Sequence, residues 1–285
     1  MKPFKLGKIA LSRVVEYEGP TRADFLFPDS AKKYFDENMD WLAPHFFYPE
    51  KGLMRMTVQT MILRTPKHTI LVDTCVGNHK KRDSPAWNML DNPWLEDLGK
   101  AGVKPEEVDY VMCTHLHVDH VGWNTMLSNG EWVPTFPNAR YIFAKKEWEH
   151  WAQENEGETR QIMNDSVRPI LDAGLAELVE ADHSLTDEIW LEPTHGHTPG
   201  HVSIRMASEG AKGVITGDMM HHPVQIAVPD LCSSFCVDPA QAVVTRKAFI
   251  GRYADTDTRV IGTHFSSPTV GQIITHNGGH RLKVD

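Results

Sequence analysis

The sequence is poor in cysteine, has no run of lysine or arginine, and contains no apolar stretch long enough to cross a bilayer. Four cysteines (Cys75, Cys113, Cys232 and Cys236) among 285 residues do not make a disulfide framework, so the chain reads as cytoplasmic, with buried reduced thiols. Cys232 and Cys236 have the spacing of half a metal site, but no second pair accompanies them. A net charge of -9 without a basic run argues against nucleic acid as partner, because binding to a phosphate backbone is mainly electrostatic. Charges or prolines break every candidate bilayer span, so no membrane association is expected. At the N-terminus Arg13 and Glu16 interrupt a short apolar patch and no small-residue cleavage site follows, so no signal peptide is expected. Internal repeats and low-complexity linkers are missing too, which makes a single domain over residues 1–285 the expectation.

What is present is an ordinary globular balance, 41% hydrophobic and 24% charged, in a chain long enough to bury a sizeable core. Residues 8–15 read as a strand. Residues 17–54 form a long loop excursion without sustained periodicity, in which Phe25, Phe27, Trp41, Phe46, Phe47 and Tyr48 either pin the loop to the core or line a pocket. Aromatics exposed there make a homodimer a reasonable hypothesis, with the oligomeric state left open by the sequence. MTVQTMILRT and HTILVDTCVGN, both β-branched and apolar, predict a hairpin. Helical spacing follows at 94–101, a short helical turn starts at Pro105, and VDYVMCTH predicts a buried strand. ARYIFAKKEWEHWAQ reads as strand then helix, and residues 154–168 as helical or mobile. LAELVEA, EIWLEPT, HVSIRMAS and KGVITGD read as short strands. Asp238 is placed to cap a helix through PAQAVVTRKAFIGRYAD with Pro239 in its first turn, and TRVIGTHF and the tail close with strands.

The densest chemistry is THLHVDHVG, residues 114–122, which follows directly on a predicted strand. With 16 histidines in the chain, H-x-H-x-D-H arises by chance with a probability on the order of a few per thousand. Imidazole and carboxylate together suit zinc, manganese, iron or cobalt. In an extended backbone residues two apart share a face, so His115 and His117 can grip one ion while His120 falls on the other parity. One ion needs three protein ligands plus water, and a fourth group pointing elsewhere implies a second ion. Two ions need further donors. Three strand ends offer them: His195, His197 and His201 in PTHGHTPGH, Asp218 in VITGDMMHH, and His264 in VIGTHF.

These residues resemble the metallo-β-lactamase superfamily of hydrolases. His115, His117, Asp119 and His120 match its HxHxDH motif, His197 matches its next ligand, and Asp218 and His264 match the last two. Asp73 matches an early aspartate whose role is structural. The resemblance covers roughly residues 55–268. It implies an α/β fold, a four-layer αββα sandwich, holding two divalent ions, zinc first and manganese, iron or cobalt as alternatives. By the same resemblance His115, His117 and His197 hold one ion, Asp119, His120 and His264 the other, and Asp218 bridges them. Parity alone would group Asp119 with His115 and His117, so the resemblance requires a sharp turn near Val118. His195 and His201 are expected to be structural, either of them free to orient a neighbour.

Water between two such ions loses a proton near neutral pH, giving hydroxide a fixed place from which to attack a carbonyl or phosphoryl centre. Asp218 would hold the bridge, and Asp119 would pass a proton to the leaving group. Asp218 stands where one β-lactamase subclass uses cysteine, which disfavours penicillin-type hydrolysis. Glyoxalase-II-type thioesterases append a helical C-terminal segment, whereas 21 mostly strand-like residues follow His264 here. Nuclease members carry basic surfaces that are lacking. The overall plan resembles most the quorum-quenching lactonase and organophosphate-hydrolase branch. Lactonases of that branch place a tyrosine three residues after the bridging aspartate; His221 stands there instead, either donating to a carbonyl or leaving oxygen or lying solvated beside His222. The expected activity is opening of a small-molecule lactone or related carboxylic ester, with phosphotriester hydrolysis as runner-up. A metal-binding protein without catalysis is disfavoured, because structural zinc sites use closed, cysteine-rich shells.

Overall fold

The computed structural model of the protein describes residues 1–154 and 156–284. Among them the chain first forms β1 (Phe4–Leu6), β2 (Ile9–Thr21), β3 (Phe47–Tyr48), β4 (Leu53–Arg64), β5 (Thr69–Val72) and β6 (Tyr110–Met112). After the histidine cluster come β7 (Thr125–Ser128), β8 (Glu131–Pro134), β9 (Arg140–Ala144) and β10 (Ala176–Val179). The last stretch holds β11 (Ser184–Thr186), β12 (Ile189–Pro193), β13 (Val202–Ser208), β14 (Ala211–Ile215), β15 (Arg259–Ile261), β16 (Val270–His276) and β17 (Gly279–Lys283). One sheet runs β1-β2-β4-β5-β6-β9-β10 with β3 beside β4, a second runs from β11 to β17 in chain order, and β7 pairs with β8. Contacts group the residues into two compact units, one of 3–16 and 58–181, the other of 1–2, 17–57 and 182–285.

In the unit of 3–16 and 58–181, β4 and β5 form the predicted hairpin, and β5, β6, β9 and β10 lie parallel. Parallel strands are covered on both faces, which is why ILV, YVM and RYIFA read as apolar runs without alternation. Ile70, Leu71, Val72, Val111, Tyr141 and Phe143 are buried accordingly. The helix Trp94–Lys100 seats Trp94 and Leu98 in the same core, where Trp94 stacks on Trp123 with ring centroids 5.1 Å apart. Of residues 154–168, the part from Gly157 on is helical: helix Gly157–Ile162 passes into a π-helical turn at Met163–Val167, while Glu154 and Glu156 lie outside the helix and Asn155 lies outside the described residues.

In the other unit, β12, β13 and β14 are antiparallel neighbours and β15 joins β14 in parallel. Asp238 caps the long helix Pro239–Tyr253 as its position suggests, its Oδ1 accepting the Gln241 N–H at 2.9 Å. That helix buries Ala242, Arg246, Phe249, Ile250 and Tyr253, the one-face spacing of a helix lying on a core. The excursion differs from expectation: it folds into short helices at Ala23–Leu26, Lys32–Glu37 and Met39–Leu42. Phe27, Trp41, Phe46 and Phe47 are buried in this unit's core with Phe35, so they pin the segment down, while Phe25 stays 43% exposed. Most of the aromatics behind the expected dimer are thus already used within the chain. Among the described residues no helix is long and apolar enough to cross a membrane.

Candidate metal centre

The parallel pairing of Val72 with Met112 releases the residues after β5 and β6 at one edge of their sheet. Asp73, which follows β5 with φ 55°, turns its carboxylate onto the exit of β6. Its Oδ1 accepts the Thr114 N–H at 2.8 Å and its Oδ2 accepts the Thr114 hydroxyl at 2.9 Å. Next along the chain, His115 and His117 face each other as their two-residue spacing requires, Nε2 of the first 3.0 Å from Nδ1 of the second. The turn that the resemblance demanded is present: helix Val118–Val121 opens straight after His117, itself extended at φ -73°, ψ 164°. It takes Asp119 and His120 out of strand parity and sets His120 Nε2 3.6 Å from Asp119 Oδ1. Behind the rings stand polar supports, Thr114 Oγ1 at 3.1 Å from His115 Nδ1 and Asp73 Oδ2 at 3.0 Å from His120 Nδ1. A supported back nitrogen fixes the tautomer and leaves the other nitrogen to a ligand.

Three groups that secure this turn carry no local sequence signal. Gly122 passes so close to the strand-end loop that a Cβ there would lie 1.9 Å from the Val76 carbonyl oxygen. Glu16 accepts the N–H groups of Val76 at 2.7 Å and Gly77 at 3.2 Å and the Trp123 indole N–H at 2.8 Å; burial raises its pKa. Glu147 likewise accepts the Leu116 N–H at 3.2 Å and the indole N–H of Trp151, whose ring lies against His117.

In the other unit, the strand directions bring the ends of β12, β14 and β15 to one edge, and His197, Asp218 and His264 lie in the loops that follow them. Asp218, in the 3-10 turn Gly217–Met219, is 4% exposed. Its two oxygens face different imidazoles: Oδ1 is 3.0 Å from His264 Nε2, whereas Oδ2 is 3.5 Å from His197 Nε2 and 3.2 Å from His221 Nε2. One ligand atom each from His197, Asp218 and His221 falls within 4.8 Å of the others. His264 donates its Nδ1–H to the Thr57 carbonyl at 2.8 Å, and His197 Nδ1 lies 3.7 Å from Cys236 Sγ.

The two histidines expected to be structural lie on either side of His197 in the same loop. His201 Nε2 accepts the Asp218 N–H at 2.8 Å while its Nδ1 meets Thr194 Oγ1 at 2.9 Å, which orients Asp218 from behind. The carbonyl of His195 accepts the Thr245 hydroxyl at 2.6 Å. His221 and His222 are both buried, so the solvated-loop alternative for His221 does not hold. Their N–H groups share Gln225 Oε1, at 2.7 and 3.2 Å, and burial lowers the pKa of His221. His222 donates from Nε2 to the Phe46 carbonyl at 2.8 Å and accepts the Val224 N–H at Nδ1, and burial pushes its pKa down to about 4. Arg246, buried on the long helix, donates to the carbonyls of Met219 at 3.0 Å, Pro229 at 2.7 Å and Leu231 at 3.0 Å, tying down the segment that contains His221. Each unit therefore offers buried imidazoles and carboxylates, a donor set suited to borderline divalent ions.

A family profile described as the Metallo-beta-lactamase superfamily matches residues 54–264. An N-acyl homoserine lactonase of Bacillus sp is 27% identical over 175 residues, which span 57% of this chain and 63% of that protein, less than two thirds of its length. The N-acyl homoserine lactonase AttM of Rhizobium radiobacter is 24% identical over 198 residues, spanning 62% of this chain and 66% of that protein. Among solved structures, the hydrolase AbOPH in the beta lactamase superfamily matches with a TM-score of 0.80 at 20% identity, covering 99% of this chain and 97% of that one. AidC, a dizinc quorum-quenching lactonase solved with a product, matches with a TM-score of 0.79 at 21% identity, covering 100% and 97%. At these identities the structural likeness establishes a shared fold.

Proposed function

The chain belongs to the metallo-β-lactamase superfamily, and from that premise we propose that it is a dinuclear metal-dependent hydrolase that opens a lactone or related carboxylic ester. His115, His117 and His197 would hold one divalent ion, Asp119, His120 and His264 the second, and Asp218 would be shared between them. Zinc suits this donor set best, and manganese, iron and cobalt suit it as well. The observation that carries the reading is the divided carboxylate of Asp218, with one oxygen against His264 and the other against His197. Two bound ions supply activated water at neutral pH and polarise a carbonyl.

The chain's own groups do the rest. Asp218, held at its backbone by His201, fixes the spacing of the donors. Asp119, at the first turn of its short helix, would take up a proton and return it to the departing alkoxide. His221 is the donor to the carbonyl or leaving oxygen, in the place where related lactonases have tyrosine. The lactonase names of the curated relatives support a lactone over a phosphotriester. A homodimer remains part of this reading, and sedimentation as a monomer at micromolar concentration would reject it.

The test combines elemental analysis of the purified protein with turnover of a panel of lactones, carboxylic esters and aryl phosphotriesters. Two divalent ions per chain, and lactone turnover lost on chelation and restored by added metal, are expected. Turnover of phosphotriesters alone would replace the substrate class, and a metal-replete protein inert to the whole panel would sink the assignment.

A further inference from the structure

We propose that Cys232 and Cys236 form a thiol pair oxidised by hydroperoxide, and that the reduced Cys236 thiol is a positioning residue for His197. The second half rests on the reading of His197 as a metal ligand.

The structure separates the cysteines that look alike in sequence. Cys75 and Cys113 are at most 2% exposed, and burial raises the pKa of both thiols, which makes them inert. Cys232 and Cys236 are free and half-buried. Between them the chain makes a tight turn, in which the Cys236 N–H donates to the Ser233 carbonyl at 3.2 Å and the Phe235 N–H to Ser233 Oγ at 3.2 Å. The turn makes the two thiols neighbours, and the reduced Cys232 thiol donates to the Pro239 carbonyl at 3.3 Å. It is docked on the loop that carries His197: the Val237 N–H donates to the His197 carbonyl and the Asp238 N–H to the Gly196 carbonyl, both at 2.9 Å.

That docking sets Cys236 Sγ 3.7 Å from His197 Nδ1, on the side of the ring opposite Asp218. With Nδ1–H directed at the sulfur, the tautomer is fixed and the Nε2 lone pair points toward the Asp218 side, the service that a carboxylate or carbonyl performs for most ligating histidines. Cys232 is the attacking sulfur. The neighbouring Cys236 thiol and the guanidinium of Arg246, with Nη1 at 3.9 Å from Sγ, lower its pKa to about 6. Its thiolate attacks one oxygen of hydrogen peroxide, the O–O bond breaks, and with one proton taken up a water leaves; a sulfenic acid remains on Cys232. The Cys236 thiol then attacks that sulfur, forming the S–S bond and releasing a second water. In all, the two thiols lose two electrons and two protons, and the peroxide takes them up. The disulfide turns Cys236 Sγ toward Cys232 and removes a good acceptor from His197, so the ion held there binds more weakly.

The metal-bound protein is treated with a small excess of hydrogen peroxide, its remaining thiols are alkylated, and its intact mass and peptides are measured. A disulfide joining Cys232 and Cys236 in the wild type, absent from Cys232→Ser and reversed by dithiothreitol, is expected. Retention of both thiols at a peroxide dose that consumes a small-molecule thiol would overturn the pair. Competition with a chromophoric zinc chelator tests the positioning role. Oxidised wild type and Cys236→Ala are expected to bind one ion about tenfold more weakly, while Cys236→Ser, which keeps an acceptor, stays near wild type. Unchanged affinity in the oxidised protein and in Cys236→Ala would overturn that role. If the untreated protein binds no divalent ion, the ligand reading of His197 fails along with it, and the mass measurement still decides the thiol pair.

Discussion

Oδ2 of Asp73 stands 3.0 Å from Nδ1 of His120, and both side chains are shut off from solvent. The carboxylate also receives the N–H and hydroxyl of Thr114, so it ties the end of β5 to the chain leaving β6 and aims one ring of the cluster. Asp73→Ala should weaken binding of one divalent ion by about 10- to 100-fold. Leaving buried donors without an acceptor should also cost about 1–3 kcal/mol of stability. Chelator competition and urea unfolding measure the two effects; unaltered metal affinity would reduce Asp73 to a structural tie.

Gly122 is required by space rather than by backbone angle. A methyl group at that position would meet the Val76 carbonyl carbon and oxygen at 2.0 and 1.9 Å, and neither can move without shifting the loop that follows Asp73. Gly122→Ala should therefore destabilise the protein by about 4 kcal/mol or more, well beyond the usual effect of a single substitution. A loss under about 1 kcal/mol in urea unfolding would mean that the approach is looser than the structure has it.

His221 separates binding of metal from turnover. His221→Phe removes the proposed donor and keeps a flat ring of similar size in a buried position. The expected result is a kcat on a lactone lower by about a hundredfold, the scale of a lost oxyanion donor, with both ions retained. Loss of an ion in parallel with activity would reassign His221 to metal binding.

His222 makes stability depend on pH. Burial holds its pKa at about 4 in the folded protein, against 6.5 for an ordinary histidine. Between those values the unfolded chain binds the proton and the folded chain does not, so stability falls as pH drops from about 6.5 toward 4. Roughly 2 kcal/mol should be lost between about pH 7 and pH 5, and His222→Gln should lack that part of the slope. Urea unfolding at the two pH values, wild type against variant, decides it; equal slopes would contradict a neutral buried imidazole.

The candidate ligands are legible in sequence because a short motif concentrates four of them and the others each follow a strand that its apolar run announces. Their supports are not. Thr57 and His264 are 207 positions apart, and Glu16 and Trp123 are separated by 107, so no local period links the partners. The helices of residues 17–54 escape detection for another reason: at four to six residues they are too short for a 3.6-residue period to repeat. Hydrophobicity marks Phe27, Trp41, Phe46 and Phe47 for burial without saying against what. The pair Cys232 and Cys236 is visible by spacing, yet its contact with His197 exists only through the docking of a turn.

Arg246 grips backbone carbonyls at Met219, Pro229 and Leu231, and none of these bonds depends on which side chains the gripped residues carry. The partly exposed residues 227–230, which lie within the gripped stretch, can therefore be rewritten while the anchorage survives, provided that three carbonyl oxygens return to the same guanidinium. New specificities could be bred there by randomising loop composition on an unchanged helix, with the arginine left alone as the fastening for every variant.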